Sequence, residues 1–153
     1  MGNTFTQLYI QFVFAVKYRA AQIDDTWRSQ LHQFITGLIQ SKGHRLIRIN
    51  SMPDHIHIFV GFQPADSPAS LMKAVKSESS KWINDQKFTA QKFQWQEGYG
   101  AFSYSKSAVP AVSRYIENQQ SHHKHRSFLE EYRLILDRFE VNYEGKYPFR
   151  AMI

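Results

Sequence analysis

The chain contains no cysteine, which excludes disulfide bonds and thiolate metal sites and makes a reducing cytoplasm the expected setting. No apolar run approaches the roughly 20 residues that a membrane-crossing helix needs. The opening Met1-Gly2-Asn3-Thr4 lacks the basic and apolar regions of a secretory signal, so no membrane partner is expected. Repeats, low-complexity segments and dividing linkers are also missing, and residues 1–153 read as one domain. What is present is apolar and aromatic: 42% of the residues are hydrophobic and 15% aromatic, which rules out a disordered chain. A net charge of +6 suits a polyanionic partner such as nucleic acid, the alternative being a merely basic soluble domain.

The residue patterns spell out an order of elements. Thr4 to Val16 is rich in Phe, Tyr, Ile and Val and reads as a long strand. Lys17 and Arg19 follow it, as a solvated strand end or as phosphate contacts. Asp24 and Asp25 supply N-cap character, and Trp27, Leu31, Phe34, Ile35, Leu38 and Ile39 recur at helical spacing. Gly43 ends that helix. His44 to Ile49 is a second strand, Asn50 to Asp54 a turn, and His55 to Val60 a third strand. Ser67 caps a second helix with Pro68 at its first position. Lys73, Lys76 and Lys81 stud that helix, as a solvated face or as candidates for phosphate contact. Phe93 to Gln96 is a short strand candidate, Gly98 forces a bend, and Ala101 to Ser105 is extended again. A third helix runs from Pro110 to about His122. Ser127 opens a fourth with the S-x-x-E form of a capping box, and Tyr147-Pro148-Phe149 ends the chain as a tail. Strand, helix, strand, strand, helix, strand is the ferredoxin-like split βαβ arrangement. The expected fold is therefore α+β, an antiparallel sheet with helices on one face plus C-terminal helices.

In that topology the first and third strands are central. The third carries Asp54-His55-Ile56-His57-Ile58-Phe59-Val60, whose period of two sends Ile56, Ile58 and Val60 to one side and His55, His57 and Phe59 to the other. Residues two apart on a strand face sit roughly 6.5–7 Å apart, so the two imidazoles can share a metal ion. The bland alternative is a pair of partly buried histidines bonded to backbone or water. Tyr115 and Gln119 are four residues apart and share a helix face. A phenol is a possible nucleophile, and a carboxamide oxygen is a hard neutral ligand suited to Mg²⁺ or Mn²⁺. Each also has a plain reading, Tyr115 as a core aromatic and Gln119 as a surface amide. If their face lies over the histidine strand, His55, His57 and Gln119 surround a metal with Tyr115 beside it.

Together these residues resemble a known family. His55-Ile56-His57 is similar to the histidine–hydrophobic–histidine motif of the HUH endonucleases, and Tyr115 with Gln119 resembles the single-tyrosine helix of the IS200/IS605-type transposases. The stretches Asn50 to His57, Trp95 to Ser103 and the His122-His123 pair also look like family features, so the resemblance covers nearly the whole chain. Gln11 is a departure, since relatives often carry histidine there, and it is expected to bear on packing or DNA contacts and not on the chemistry. The resemblance implies a small homodimer acting on single-stranded DNA with hairpins at element ends. Tyr115 would attack a phosphodiester, form a 5′-phosphotyrosine link and release a 3′-hydroxyl. His55, His57 and Gln119 would ligate Mg²⁺ or Mn²⁺, and Lys17, Arg19, Lys73 and Lys76 are candidate DNA contacts. The competing readings are an RRM-like nucleic-acid-binding module without chemistry, a phosphodiesterase using water, and a domesticated relative serving the host.

Overall fold

A computed structural model describes residues 3–143 and 149–153. Its sheet has strands β1 (Tyr9–Ala15), β2 (Arg45–Met52), β3 (His55–Gly61) and β4 (Gly100–Tyr104) in the order β2-β3-β1-β4, and all neighbours are antiparallel. Between β1 and β2 lies helix α1 (Asp25–Ser41), and between β3 and β4 lies α2 (Pro68–Gln86). Three further helices follow: α3 (Val109–Glu117), the single turn α4 (Gln119–His122) and α5 (Phe128–Arg138). This is the expected α+β, ferredoxin-like arrangement, with β1 and β3 central.

The two faces of the sheet do different things. Phe12, Phe14, Ile56, Ile58 and Val60 are fully buried and pack in one cluster with Leu31, Ile35 and Ile39 of α1 and Leu71 and Val75 of α2. Each fully buried aliphatic or aromatic side chain there contributes on the order of 1.5–3 kcal/mol. The opposite face carries Gln11, Val13, His55, His57 and Phe59 in register, and α3, α4 and α5 cover it. Phe59 packs there with Val112 and Ile116 of α3, and Phe102 of β4 meets Tyr132 and Phe139 near α5.

The local signals act as their chemistry requires. The Asp24 side chain accepts from Thr26 N–H, Ser67 caps α2, and Ser127 accepts from Glu130 N–H. Gly43 and Gly98 have positive φ, 87° and 84°, where a side chain would be strained.

Four boundaries differ from expectation. The first strand starts at Tyr9, where its register with Gly61 and Tyr104 begins, and Phe5 before it is exposed. Phe93 to Gln96 forms only an isolated bridge between Trp95 and Val16. β2 runs on to Met52, so the turn into β3 is only Pro53-Asp54 and Asn50 pairs with His57. The third helix breaks at Asn118. There Asn50 Nδ2 donates to the carbonyls of Ile116 and Glu117 at 2.9 and 3.2 Å, supplying partners that continued helix would have supplied. Of the expected tail, Tyr147 and Pro148 lie outside the described residues, and Phe149 is buried against Phe128 and Tyr132.

Candidate active site

β3 sets His55 and His57 side by side on the covered face, both fully buried, with ring centroids 5.1 Å apart. The His55 ring stacks on Phe128 of α5, and its Nδ1 donates to Asp54 Oδ1 at 2.7 Å. On the other histidine, Nδ1 of His57 accepts from the Gln11 amide at 2.7 Å. α4 brings the buried Gln119 over this pair, with its Oε1 3.0 Å from His55 Nε2. The break at Asn118 leaves Gln119 on the same side as Tyr115.

The partner of Tyr115 comes from α5. The phenol donates to Glu131 Oε2, and Gln119 Nε2 donates to the same oxygen at 3.0 Å. The other oxygen, Oε1, lies 3.3 Å from His57 Nε2, 3.5 Å from His55 Nε2 and 3.0 Å from His123 Nε2. His122 stacks on the Tyr115 ring with centroids 4.5 Å apart. Among the described residues its buried Nε2 has no hydrogen-bond partner.

Charge at the site follows from these contacts. Burial works against an ionised Glu131, but hydrogen bonds from His123 and His57 outweigh it and hold the carboxyl well below the usual carboxylate range. Burial, and then the charge of Glu131, push the Tyr115 phenol well above the ordinary tyrosine value. His57 is lowered, chiefly by desolvation. For His123 burial is opposed by its hydrogen bond to Glu131 and by that residue's charge, which lift it above the usual value.

The donor set fits a divalent cation. Because its Nδ1 hydrogen is engaged by Asp54, a neutral His55 turns an Nε2 lone pair toward Gln119 Oε1 and Glu131 Oε1. These are three acceptors with no hydrogen of their own to share. One ligand atom from each of His55, His57 and Glu131 lies within 4.8 Å of the others. Two imidazoles, a carboxylate and an amide oxygen are together a donor set for a divalent cation.

A family model described as transposase, IS200 like, matches residues 4–119. The chain belongs to the IS200-like transposase family. Among its relatives is the ISDra2 transposase TnpA of Deinococcus radiodurans, 24% identical over 122 residues, or 74% of this chain and 84% of that protein. A crystal structure assigned as a transposase of Deinococcus radiodurans R1 has a TM-score of 0.60 at 22% identity, covering 78% of this chain and 95% of that one. A REP-associated tyrosine transposase bound to a REP hairpin also has a TM-score of 0.60, at 13% identity, covering 80% of this chain and 73% of that one. At these identities the two structures bear on the fold alone.

In this transposase-family chain the fold brings His55, His57, Tyr115 and Gln119 together. Among the described residues no hydrogen bond or ion pair joins the four candidate DNA-contact cations to these groups. Lys17 and the exposed Arg19 lie just past the end of β1, where Ala15 pairs with His55. Lys73 is exposed on α2, on the far side of the sheet. Lys76, also on α2, gives its ammonium to the carbonyls of Gln96 and Gly98 at 2.7 and 2.6 Å, and burial lowers its pKa to about 8. That ties Lys76 to the 96–98 loop.

Two residues of the site escaped the sequence reading. Glu131 looks like the second acid of a capped helix and lies beyond the family-matched span. Only its place one turn before Ile135 and beside Tyr132 marks it as inward-facing. Gln11, expected to touch packing or DNA, instead holds His57. The signal was available, because Gln11 shares the His57 face and sits diagonal to it in the β1–β3 register.

Proposed function

We propose that this transposase-family chain cleaves and rejoins single-stranded DNA, with Tyr115 as the nucleophile and a divalent cation held by His55, His57, Glu131 and Gln119. The observation that supports it most is the double use of Glu131, with one oxygen on the Tyr115 phenol and the other facing both histidines. Nucleophile and cation-binding set share one carboxylate.

Each residue has a task in that reading. The phenol oxygen of Tyr115 attacks phosphorus, and the bond to the 3′-oxygen breaks. Glu131 Oε2, already its acceptor, aims the phenol, whose proton leaves through water as the departing 3′-oxygen takes one up, so that the step neither gains nor loses a proton overall. The products are a 5′-phosphotyrosine and a 3′-hydroxyl, and attack by another 3′-hydroxyl reverses the step, so strands rejoin without ATP. His122 holds the Tyr115 ring by stacking, which restricts the attack direction. A bound cation would polarise the phosphate and offset the Glu131 charge that keeps the phenol protonated. The covered sheet face weighs against an RRM-like module, which stacks bases on exposed sheet aromatics. Phe59 is fully buried here.

The partners we propose are single-stranded DNA carrying hairpins at element ends, and a second copy of the chain. The dimer rests on family resemblance. α3 and α5 pack on their own sheet and add no separate argument for it.

The test is labelled single-stranded DNA with Mg²⁺, analysed on a denaturing gel. Wild-type protein should give a covalent adduct mapped by mass spectrometry to the Tyr115 peptide. Tyr115→Phe should bind the DNA and form none. An adduct on another residue, or cleavage by Tyr115→Phe, names a different nucleophile.

A further inference from the structure

His57 is gripped from behind by a pair of side chains that the proposed chemistry does not use. Gln11 is 1% exposed, and its Nε2 lies 2.7 Å from His57 Nδ1. On its other side, Tyr104 donates its hydroxyl to Gln11 Oε1 at 2.9 Å. An amide nitrogen can only donate, so His57 Nδ1 is the acceptor and a neutral ring carries its hydrogen on Nε2. That hydrogen points to Glu131 Oε1, 3.3 Å away. The contacts form one directed chain in which Tyr104 donates to Gln11, Gln11 to His57, and His57 to Glu131.

This direction is the wrong one for a ligand. An imidazole that binds a cation through Nε2 needs its hydrogen on Nδ1, and Nδ1 then needs an acceptor behind it. The Gln11 carboxamide has such an acceptor in its own Oε1. Turning the amide over puts Oε1 on His57 Nδ1 and the NH₂ on the Tyr104 oxygen. A hydroxyl rotates freely and accepts as well as it donates, so Tyr104 suits both arrangements. A carboxylate at position 11 would serve only the ligand tautomer, and an aliphatic side chain would leave a buried ring nitrogen unpartnered. A carboxamide backed by a hydroxyl serves both.

We propose that Gln11, backed by Tyr104, is a positioning residue that sets the tautomer of His57, and that a divalent cation at His57 Nε2 turns the Gln11 amide over. The cation half rests on the functional reading above, whereas the tautomer of the cation-free protein does not. Gln11 thus works as a two-way adapter, holding the cation-free network closed and then supporting His57 as a ligand.

The experiment uses the ¹⁵N-labelled full chain and long-range ¹H–¹⁵N correlation of the histidine rings, with Mg²⁺ alone as the added ligand. Chelator-treated wild-type protein should show His57 with hydrogen on Nε2. Mg²⁺ should move it to Nδ1, with the Gln11 side-chain amide signals shifting at the same concentrations. Gln11→Glu should place the hydrogen on Nδ1 without any cation and tighten Mn²⁺ binding, read by electron paramagnetic resonance, by about tenfold. Gln11→Met should weaken Mn²⁺ binding by about 10–100-fold, with circular dichroism confirming that both variants fold. A hydrogen on Nδ1 of His57 in cation-free wild-type protein overturns the proposal, and so does equal Mn²⁺ affinity in wild-type protein and both folded variants. Failure of the functional reading looks different. If neither histidine responds to Mg²⁺ or Mn²⁺, the cation half falls with it, while a Gln11→Glu reversal of the cation-free tautomer still supports Gln11 as the residue that sets it.

Discussion

Tyr115 on α3 donates its phenolic hydrogen to Glu131 on α5, 16 residues further along the chain. Neither helix holds the site alone. α3 supplies the phenol, α5 the carboxylate, and β3 the two rings that the second carboxylate oxygen faces.

Glu131 is therefore expected to matter in two separable ways. Glu131→Gln keeps the size and some hydrogen bonds but removes the charge, so Mn²⁺ affinity should fall by at least about tenfold with modest loss of stability. Glu131→Ala strips a hydrogen-bond partner from the fully buried His57 and the part-buried His123 and should cost about 3–5 kcal/mol. Urea denaturation and Mn²⁺ titration of both variants test this. Unchanged Mn²⁺ binding by Glu131→Gln would remove Glu131 from the ligand set.

Tyr115 contacts the histidines of its own chain, with ring centroids of Tyr115 and His57 6.1 Å apart. Mixing Tyr115→Phe with His57→Ala protein should not restore strand cleavage, even where light scattering shows the two copies associating. Recovery of activity in the mixture would mean that the tyrosine of one copy serves the site of another. A species of only 18.0 kDa at micromolar concentration would count against the dimer itself.

His32 on α1 meets the fully buried Ser51 hydroxyl at 2.8 Å. Burial, and then the charge of Arg28, lower its pKa from 6.5 to about 4. Its folded-state value is thus below the unfolded one. As pH falls from 6.5 toward 4 the unfolded chain takes up a proton that the folded chain refuses, and stability is lost across that window by up to about 3 kcal/mol. His32→Gln should show a flatter stability profile between pH 7 and 4. Identical profiles in urea denaturation would contradict the assignment.

Lys76 and Lys73 should separate structure from DNA contact. Lys76→Ala loses two hydrogen bonds to the 96–98 loop and should cost about 1–3 kcal/mol, with little change in the salt dependence of DNA binding. Lys17→Ala combined with Arg19→Ala should leave stability within about 0.5 kcal/mol. If these two contact phosphate, the same pair should reduce the salt slope of binding by about 1–2. Fluorescence anisotropy against a single-stranded oligonucleotide at several salt concentrations checks both, with Lys73→Ala as the variant on the far face of the sheet.

How much of this was legible in the chain depends on the range of the interaction that decides it. The alternation in β3 separates Ile56, Ile58 and Val60 from His55, His57 and Phe59 because strand geometry acts on adjacent residues. The caps at Asp24, Ser67 and Ser127 and the turn at Gly43 are equally local, and so the order of elements, the topology and the Tyr115–Gln119 pair could be read directly. The place where α3 ends could not. That break depends on Asn50, whose amide takes the Ile116 and Glu117 carbonyls from 66 and 67 residues away.

The same division runs through the site. Sequence alone determined which strand bears the imidazoles, which face they share and which helix bears a tyrosine. Only the tertiary structure decided what those groups touch: that Glu131 closes the site, that Gln11 stands behind His57, and that Lys76 is spent on backbone carbonyls. The reason is physical. Strand and helix periodicities are set by backbone geometry within a few residues, whereas the partner of a buried polar group is whichever side chain the packed helices and sheet bring to hydrogen-bonding distance, and nothing near it in the chain marks that choice.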